Sequence, residues 1–276
     1  LASERYGDLY RAVPGKELWW SIFENDYKQT ETMFRPVLNI NIQALPWLQL
    51  STGGSLNYYA IDGELKAPGS GYANEGGSYA LSHTHTTQEN LYLAANLNYQ
   101  INKDWEVHGF LREEYFNQYA QYNSESTNGG LIVPNQFFIK NSKQQASFNA
   151  YKFNTKRIVS TIFMIGTSWK NQLFLDITGR NDWSSALVYS YGTGNFSYFY
   201  PSVSGSWIIT ETFKDKLPKW VSFAKVRGSW AQVGNDTSPY YINSGYSVAT
   251  YQRGDKKIYG MTIPENMKST NLKPER

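Results

Sequence analysis

The sequence contains no cysteine and only 3 histidines among 276 residues. That excludes a disulfide framework and any thiolate metal site. No run approaches the ~18 consecutive apolar residues that a membrane-spanning helix requires. The longest apolar stretch, IVSTIFMIGTSW at 158–169, is short and rich in β-branched residues. One-sided charge is missing too. The 26 Lys and Arg against 23 Asp and Glu leave a net +3, scattered along the chain, which gives no nucleic-acid footprint. There is no G-x-S-x-G, no EF-hand loop and no zinc-ligand spacing, so neither a catalytic motif nor a cofactor is expected. The opening LASERYGDLY lacks an initiator Met, a basic n-region and a signal h-region. The closing NLKPER stops where a strand could begin, and both ends read as cut from something larger.

Aromatics and alternation are abundant instead. The chain carries 22 Tyr and 9 Trp, and apolar and polar residues alternate with period two over many stretches. Such alternation marks a strand with one apolar and one polar face. Eight strands are predicted, at 36–44, 47–58, 91–100, 105–116, 157–169, 172–181, 199–210 and 220–233. Most exceed the ~5–6 residues usual in globular sheets. Leu173, Leu175 and Ile177 alternate with Phe174, Asp176 and Thr178, and the run ends on Arg180, Asn181, Asp182 and Trp183.

The connections alternate as well. Leu45-Pro46, INKD at 101–104, KN at 170–171 and the basic ETFKDKLPK at 211–219 are compact. The others, 59–87, 117–156, 182–198 and everything after 234, are long and rich in Gly, Ser, Asn and Tyr. Short turns at one end and long loops at the other are the habit of outer-membrane barrels. A soluble sandwich would mix loop lengths at both ends. Trp47, Trp105, Trp169 and Trp220 flank the four compact connections. About one crossing away, ~9–11 residues, sit Tyr58, Tyr115 and Trp230, with Tyr59, Phe116, Trp183, Phe199 and Tyr200 beside them. Amphipathic rings favour the headgroup level, so these residues are expected to form two interfacial girdles. Asp176 and Arg180 would then face water, and the leucines lipid. A soluble, secreted β-sandwich that binds carbohydrate, with these aromatics in its core, and a self-contained eight-stranded outer-membrane barrel serving as anchor or adhesin are the alternative readings.

The stretches LFLDITGRNDWSSAL, YFYPSVSGSWIITETF, WVSFAKVRGSWAQVGNDTSPY and the closing NLKPER resemble the SusC/RagA family of TonB-dependent outer-membrane transporters of Bacteroidetes. The resemblance covers roughly residues 172–241 and resumes at 271–276; residues 32–116 fit the family pattern with less diagnostic wording. It implies a barrel of about 22 strands, here represented by a section of its wall that fills residues 1–276. It also implies a plug domain and an N-terminal extension not present here, a SusD-type lipoprotein lid, and energy delivered through TonB. The implied activity is non-enzymatic import of oligosaccharides or peptides across the outer membrane.

Other candidates are weaker. His83 and His85 share a face if extended, yet no acidic or thiol neighbour completes a metal site, and a polar loop is expected there. Glu106, His108, Arg112 and Glu114 share one strand face and read as lumen-lining charges rather than a paired-carboxylate site. GTGNFS at 192–197 lacks the strand-to-helix context of a phosphate loop. Asn195 and Asn235 each begin a chance glycosylation pattern. Trp183, Tyr189, Tyr191, Tyr240 and Tyr241 lie in or beside the long loops, where aromatic faces suit sugar rings or peptides, or pack the loops against one another or the lid.

Overall fold

The computed structural model describes residues 25–68 and 76–275, apart from 215, 219, 255, 264, 265, 267 and 270. Among these residues there are eleven strands: β1 (Asp26–Phe34), β2 (Val37–Leu45), β3 (Leu48–Ala67), β4 (Ser78–Gln100), β5 (Trp105–Leu131), β6 (Ser142–Trp169), β7 (Leu173–Ser184), β8 (Ser197–Ile208), β9 (Lys225–Ala231), β10 (Ser247–Arg253) and β11 (Lys256–Thr262). The first nine form one sheet in the order β1-β3-β4-β5-β6-β7-β8-β9, with β2 also paired to β3; β10 and β11 make a separate hairpin. Among the described residues β9 pairs only with β8, so the sheet has open edges. No helix among the described residues is long and apolar enough to cross a membrane. The short helix α1 (Ile209–Thr212) starts where the strand expected over 199–210 was to continue.

The short connections are set by local chemistry. Lys170 and Asn171 both adopt positive φ, 52° and 53°, the pair of left-handed residues that a tight two-residue hairpin turn needs. At the next compact turn the Asn102 carboxamide oxygen accepts from the backbone N–H of Asp104 at 2.8 Å and of Trp105 at 2.9 Å. Proline, which lacks an N–H, separates β1 from β2 at Arg35-Pro36, yet the Leu56 N–H still reaches the Pro36 carbonyl at 3.1 Å.

Two expectations are corrected. The long connections 59–87 and 117–156 are largely strand, since β3 runs on to Ala67, β4 begins at Ser78, β5 reaches Leu131 and β6 starts at Ser142. Strands of 20 to 28 residues exceed any single crossing. A strand wetted on both faces needs no apolar alternation, because its ladder of backbone hydrogen bonds forms regardless of side-chain polarity. The last strand is also shorter than 220–233, and Trp220 lies outside it.

The residues group into two compact units, one drawn from residues up to 36, 56–88 and 119–154, the other from 37–55, 89–118 and 155–276. In the first, β1 pairs with Tyr58–Lys66 of β3. Among its described residues the buried side chains are few: Ala67, Tyr79, Ala120, Leu131 and Asn141. Asn141 holds the loop before β6, accepting from the Val133 N–H at 3.0 Å and donating to the carbonyls of Val133 and Gln136.

In the second unit, alternation sorts the sheet into two faces. On one side Leu173, Leu175 and Ile177 of β7 stand opposite Trp169, Thr167 and Ile165 of β6 and Trp207, Gly205 and Val203 of β8. Val226 and Trp230 continue this row on β9. Leu38, Ile40, Ile42, Leu50, Leu91, Leu93, Leu111, Ile165, Leu173, Leu175 and Ile177 are all exposed. Among the described residues no second sheet covers this apolar face, as the two packed sheets of a sandwich would. Beyond the strands the chain leaves at Asn235 and returns at Glu275, where the two residues exchange backbone hydrogen bonds of 3.2 and 3.1 Å.

Candidate functional site

The opposite face of the second unit is polar. Asp176, Thr178, Arg180 and Asp182 of β7 stand opposite Ser204, Ser202, Tyr200 and Tyr198 of β8. Across β6 their partners are Gly166, Met164, Ile162 and Ser160. Lys225, Arg227 and Ser229 extend the row on β9.

A recess of about 560 Å³ opens on this face, wholly within the second unit. Charged groups from four places in the sequence meet in it. Arg180 donates from Nε to Asp182 at 2.7 Å, from Nη1 to Glu114 at 3.4 Å and from Nη2 to the Ser160 hydroxyl at 3.0 Å. Arg112 Nε lies 2.7 Å from Glu114 Oε1, and its guanidinium carbon sits over the Tyr92 ring, 4.0 Å from the centre. Lys156 Nζ is 2.5 Å from Asp236 Oδ1, and the Ser184 hydroxyl donates to the other oxygen of the same carboxylate. Asp236, only 5% exposed, is thereby pinned from two strands. Tyr198 and Tyr200, edge-to-face at 5.1 Å, complete the aromatic side of the wall.

Farther along the face, His108 Nε2 is 3.2 Å from Asp176 Oδ1, and Ser204 donates to the second Asp176 oxygen at 3.4 Å. A smaller recess of about 280 Å³ lies between Asp176, the β8 serines, Lys225 and Arg227.

The structure thus brings Arg112, Glu114, Arg180 and Asp182 together in one network, whereas His108 joins Asp176 and Glu106 offers its carbonyl to the Thr167 hydroxyl at 3.1 Å. His83 does not pair with His85. It meets Asp62 at 2.8 Å, while the His85 ring lies 6.5 Å from Tyr119. In 192–197, Gly192 and Gly194 take positive φ, and a Cβ at Gly194 would run into the Leu187 carbonyl oxygen. Asn195 is engaged by Asn271 at 2.8 Å and the Leu272 carbonyl at 3.0 Å.

The loop aromatics separate by burial. Tyr189 is 6% exposed, stacks on Tyr191 at 5.3 Å, donates to the Ser269 carbonyl and accepts from the Leu272 N–H. Tyr191, Tyr240 and Tyr241 are exposed, with Lys268 Nζ 5.2 Å from the Tyr241 ring centre. Trp183 stands on the exposed side of β7, opposite Val159 and Ser197. Of the other tryptophans, Trp105 and Trp169 approach to 6.4 Å and Trp47 meets Tyr99 edge-on at 6.3 Å. Trp220 is 84% exposed, Trp230 stands opposite Val203, Tyr58 opposite Phe34, and Tyr115 borders the larger recess.

Tyr92, Lys156, Ser160, Tyr198 and Asp236 are site residues that sequence reading missed. Parity gives no polar signal for Ser160, which stands between Ile158 and Ile162, or for Tyr198, which stands between Phe196 and Tyr200. Nothing local marks Asp236, whose partner Lys156 lies 80 positions away.

In the first unit, beyond the predicted crossing stretches, the Tyr79 hydroxyl donates to Glu64 Oε1 at 2.8 Å. Burial, then this hydrogen bond to a carboxylate, pushes the Tyr79 phenol up to about 12. The Tyr79 hydroxyl, with Lys66 beside it, holds Glu64 below its ordinary value.

No family model and no curated protein matches this chain. Solved structures do. The chain is similar to a structure of the RagAB peptide transporter, with a TM-score of 0.78 and 15% identity over 97% of this chain and 30% of that one. It is similar to the RagAB peptide importer in the "closed-closed" state, with TM-score 0.74 and 16% identity over 91% of this chain and 27% of that one. For the "open-open" state the values are 0.72 and 16%, over 98% and 29%. The chain therefore spans about three tenths of the length of the transporter chains it matches. The shared feature is the fold: a large all-β antiparallel sheet of the kind found in those transporter chains.

Proposed function

We propose that this chain is a section of the barrel wall of a TonB-dependent outer-membrane transporter of the SusC/RagA type, importing oligosaccharides or peptides. The observation that carries the reading is the two-faced sheet of the second unit: leucines and isoleucines exposed on one side, an ion-paired, aromatic-lined recess on the other. Such a sheet is stable where acyl chains wet the first face and water the second. The transporter fold of the similar structures supports it.

In this reading Trp47, Trp105, Trp169 and Trp220 mark the headgroup level at the short-turn end. Tyr58, Tyr115 and Trp230 mark the other. The long hairpins stand above the bilayer, where Trp183, Tyr189, Tyr191, Tyr240 and Tyr241 meet cargo or a SusD-type lipoprotein lid. The similar structures are of RagAB complexes, which supports a two-component machine. The work is capture and gating rather than bond chemistry, with TonB acting through a plug outside this chain.

The test is uptake by cells expressing the complete protein, compared with a version lacking its TonB-contacting segment. Loss of uptake on deletion is the expected result. Uptake that continues unchanged would refute energised import.

A further inference from the structure

The larger recess holds three cations and three carboxylates, and two of the cations hydrogen-bond to groups within it. Arg180 uses Nε, Nη1 and Nη2 on Asp182, Glu114 and Ser160. Lys156 sits on Asp236. Arg112 differs. Its Nε is ion-paired with Glu114 Oε1 at 2.7 Å, and that buried atom has no hydrogen-bond partner among the described residues. A partly exposed guanidinium lining the recess can give its remaining donors to water or to a ligand bound there.

That guanidinium is also held in place. It sits over the Tyr92 ring, and the Tyr92 hydroxyl donates to Asn39 Oδ1 at 2.9 Å, so the ring is anchored at its far end. Gly53 makes the room: a Cβ there would come within 2.9 Å of Tyr92 Cε1 and 2.5 Å of Asn39 Oδ1. An arginine stacked on an aromatic ring and steadied by a carboxylate has lost its rotamer freedom beforehand, which favours two-point recognition of a planar anion.

We infer that Arg112 is the recess's recognition group for a carboxylate carried by the cargo, an inference resting on the transporter reading above. Glu114, Asp182 and Asp236 line the same recess. Their charge disfavours a dianion such as phosphate and leaves room for a single carboxylate matched to the guanidinium fork. Tyr92, Phe116, Tyr198 and Tyr200 supply aromatic wall for the stem behind that carboxylate. Acidic peptides and uronic-acid oligosaccharides share this chemistry.

Binding to the purified complete transporter distinguishes them, using the N-acetylated, C-amidated pentapeptide Gly-Glu-Gly-Glu-Gly against its equally capped glutamine twin, and trigalacturonic acid against its methyl ester. In at least one pair the wild type should prefer the acid, and Arg112→Gln should weaken that acid about tenfold to a hundredfold while leaving the neutral twin unchanged. The responding pair identifies the cargo class. Tyr92→Leu keeps the charge, removes the platform and should cause a smaller loss in the same direction; it carries the test if Arg112→Gln does not assemble. Wild-type protein that fails to prefer either acid, or an Arg112→Gln loss equal for acid and neutral probes, overturns the inference while leaving transport intact. TonB-independent uptake would instead sink the transport reading without touching the binding result.

Discussion

His108 of β5 reaches Asp176 of β7 across Gly166 of β6, with 3.2 Å between Nε2 and Oδ1. Gly166 stands opposite Asp176 in the ladder, and a Cβ there would run into both side-chain ends. At Gly109 a Cβ would instead run into the Met164 carbonyl oxygen, a backbone atom of the neighbouring strand. The two glycines therefore make different demands. Gly166→Ala should only push the partly exposed pair apart, costing less than about 1 kcal/mol. Gly109→Ala must move a strand, at roughly 2 kcal/mol or more. Urea unfolding of the complete protein in liposomes checks this. Equal losses would show that neither close approach is set by the glycine.

The lipid-facing assignment is tested at Ile165, which is 60% exposed and stands opposite Ile177. Ile165→Lys should cost about 2–4 kcal/mol if the residue lies near the bilayer midplane. Ser204→Lys, on the opposite face beside Asp176, should cost little. If folding in liposomes tolerates both equally, the leucine-rich face does not meet lipid.

Asp236→Ala removes the partner of both Lys156 and Ser184 and leaves a largely buried ammonium uncompensated. Losing one member of a buried pair costs roughly 3 kcal/mol. The expected result is hydrogen exchange at 232–238 faster by about two orders of magnitude. Unchanged exchange there would mean that the loop is held by other contacts.

Tyr79 and Glu64 predict opposite pH effects in the first unit. The raised phenol stabilises the fold fully below its ordinary value of 10.0 and loses that contribution as pH climbs toward about 12. The lowered carboxyl contributes above its ordinary value of 4.5 and stops contributing as pH falls through its folded value. Ultraviolet titration of Tyr79→Phe should show one late-ionising tyrosine fewer than the wild type, the Tyr79 step itself. In Glu64→Gln it should move down without reaching 10, since burial persists. A Tyr79→Phe curve matching the wild type would refute the assignment.

Strands whose apolar face has to be greasy were legible: β2, β7 and β8 begin within two residues of their predicted positions. The water-wetted halves were not. SHTHTTQE in β4 and NQYAQYNSEST in β5 carry no apolar period, and their pairing rests on backbone ladders that sequence alternation does not report. Parity likewise placed Asp176 and Arg180 on one face. It could not reveal that Arg180 hydrogen-bonds from all three nitrogens while Arg112 is ion-paired to Glu114 through Nε, because that depends on which side chains from distant strands arrive beside them.

The paired backbones of Asn235 and Glu275 form a neck beneath the β10–β11 hairpin. A polypeptide excursion that departs and rejoins at one spot can lengthen, shorten or swap its contents without disturbing the register below. The β10–β11 hairpin within that excursion is accordingly a place for evolution to vary, and for an experimenter to graft an epitope tag, whereas its flanks are tied down through Asp236, Asn243, Ser269 and Leu272.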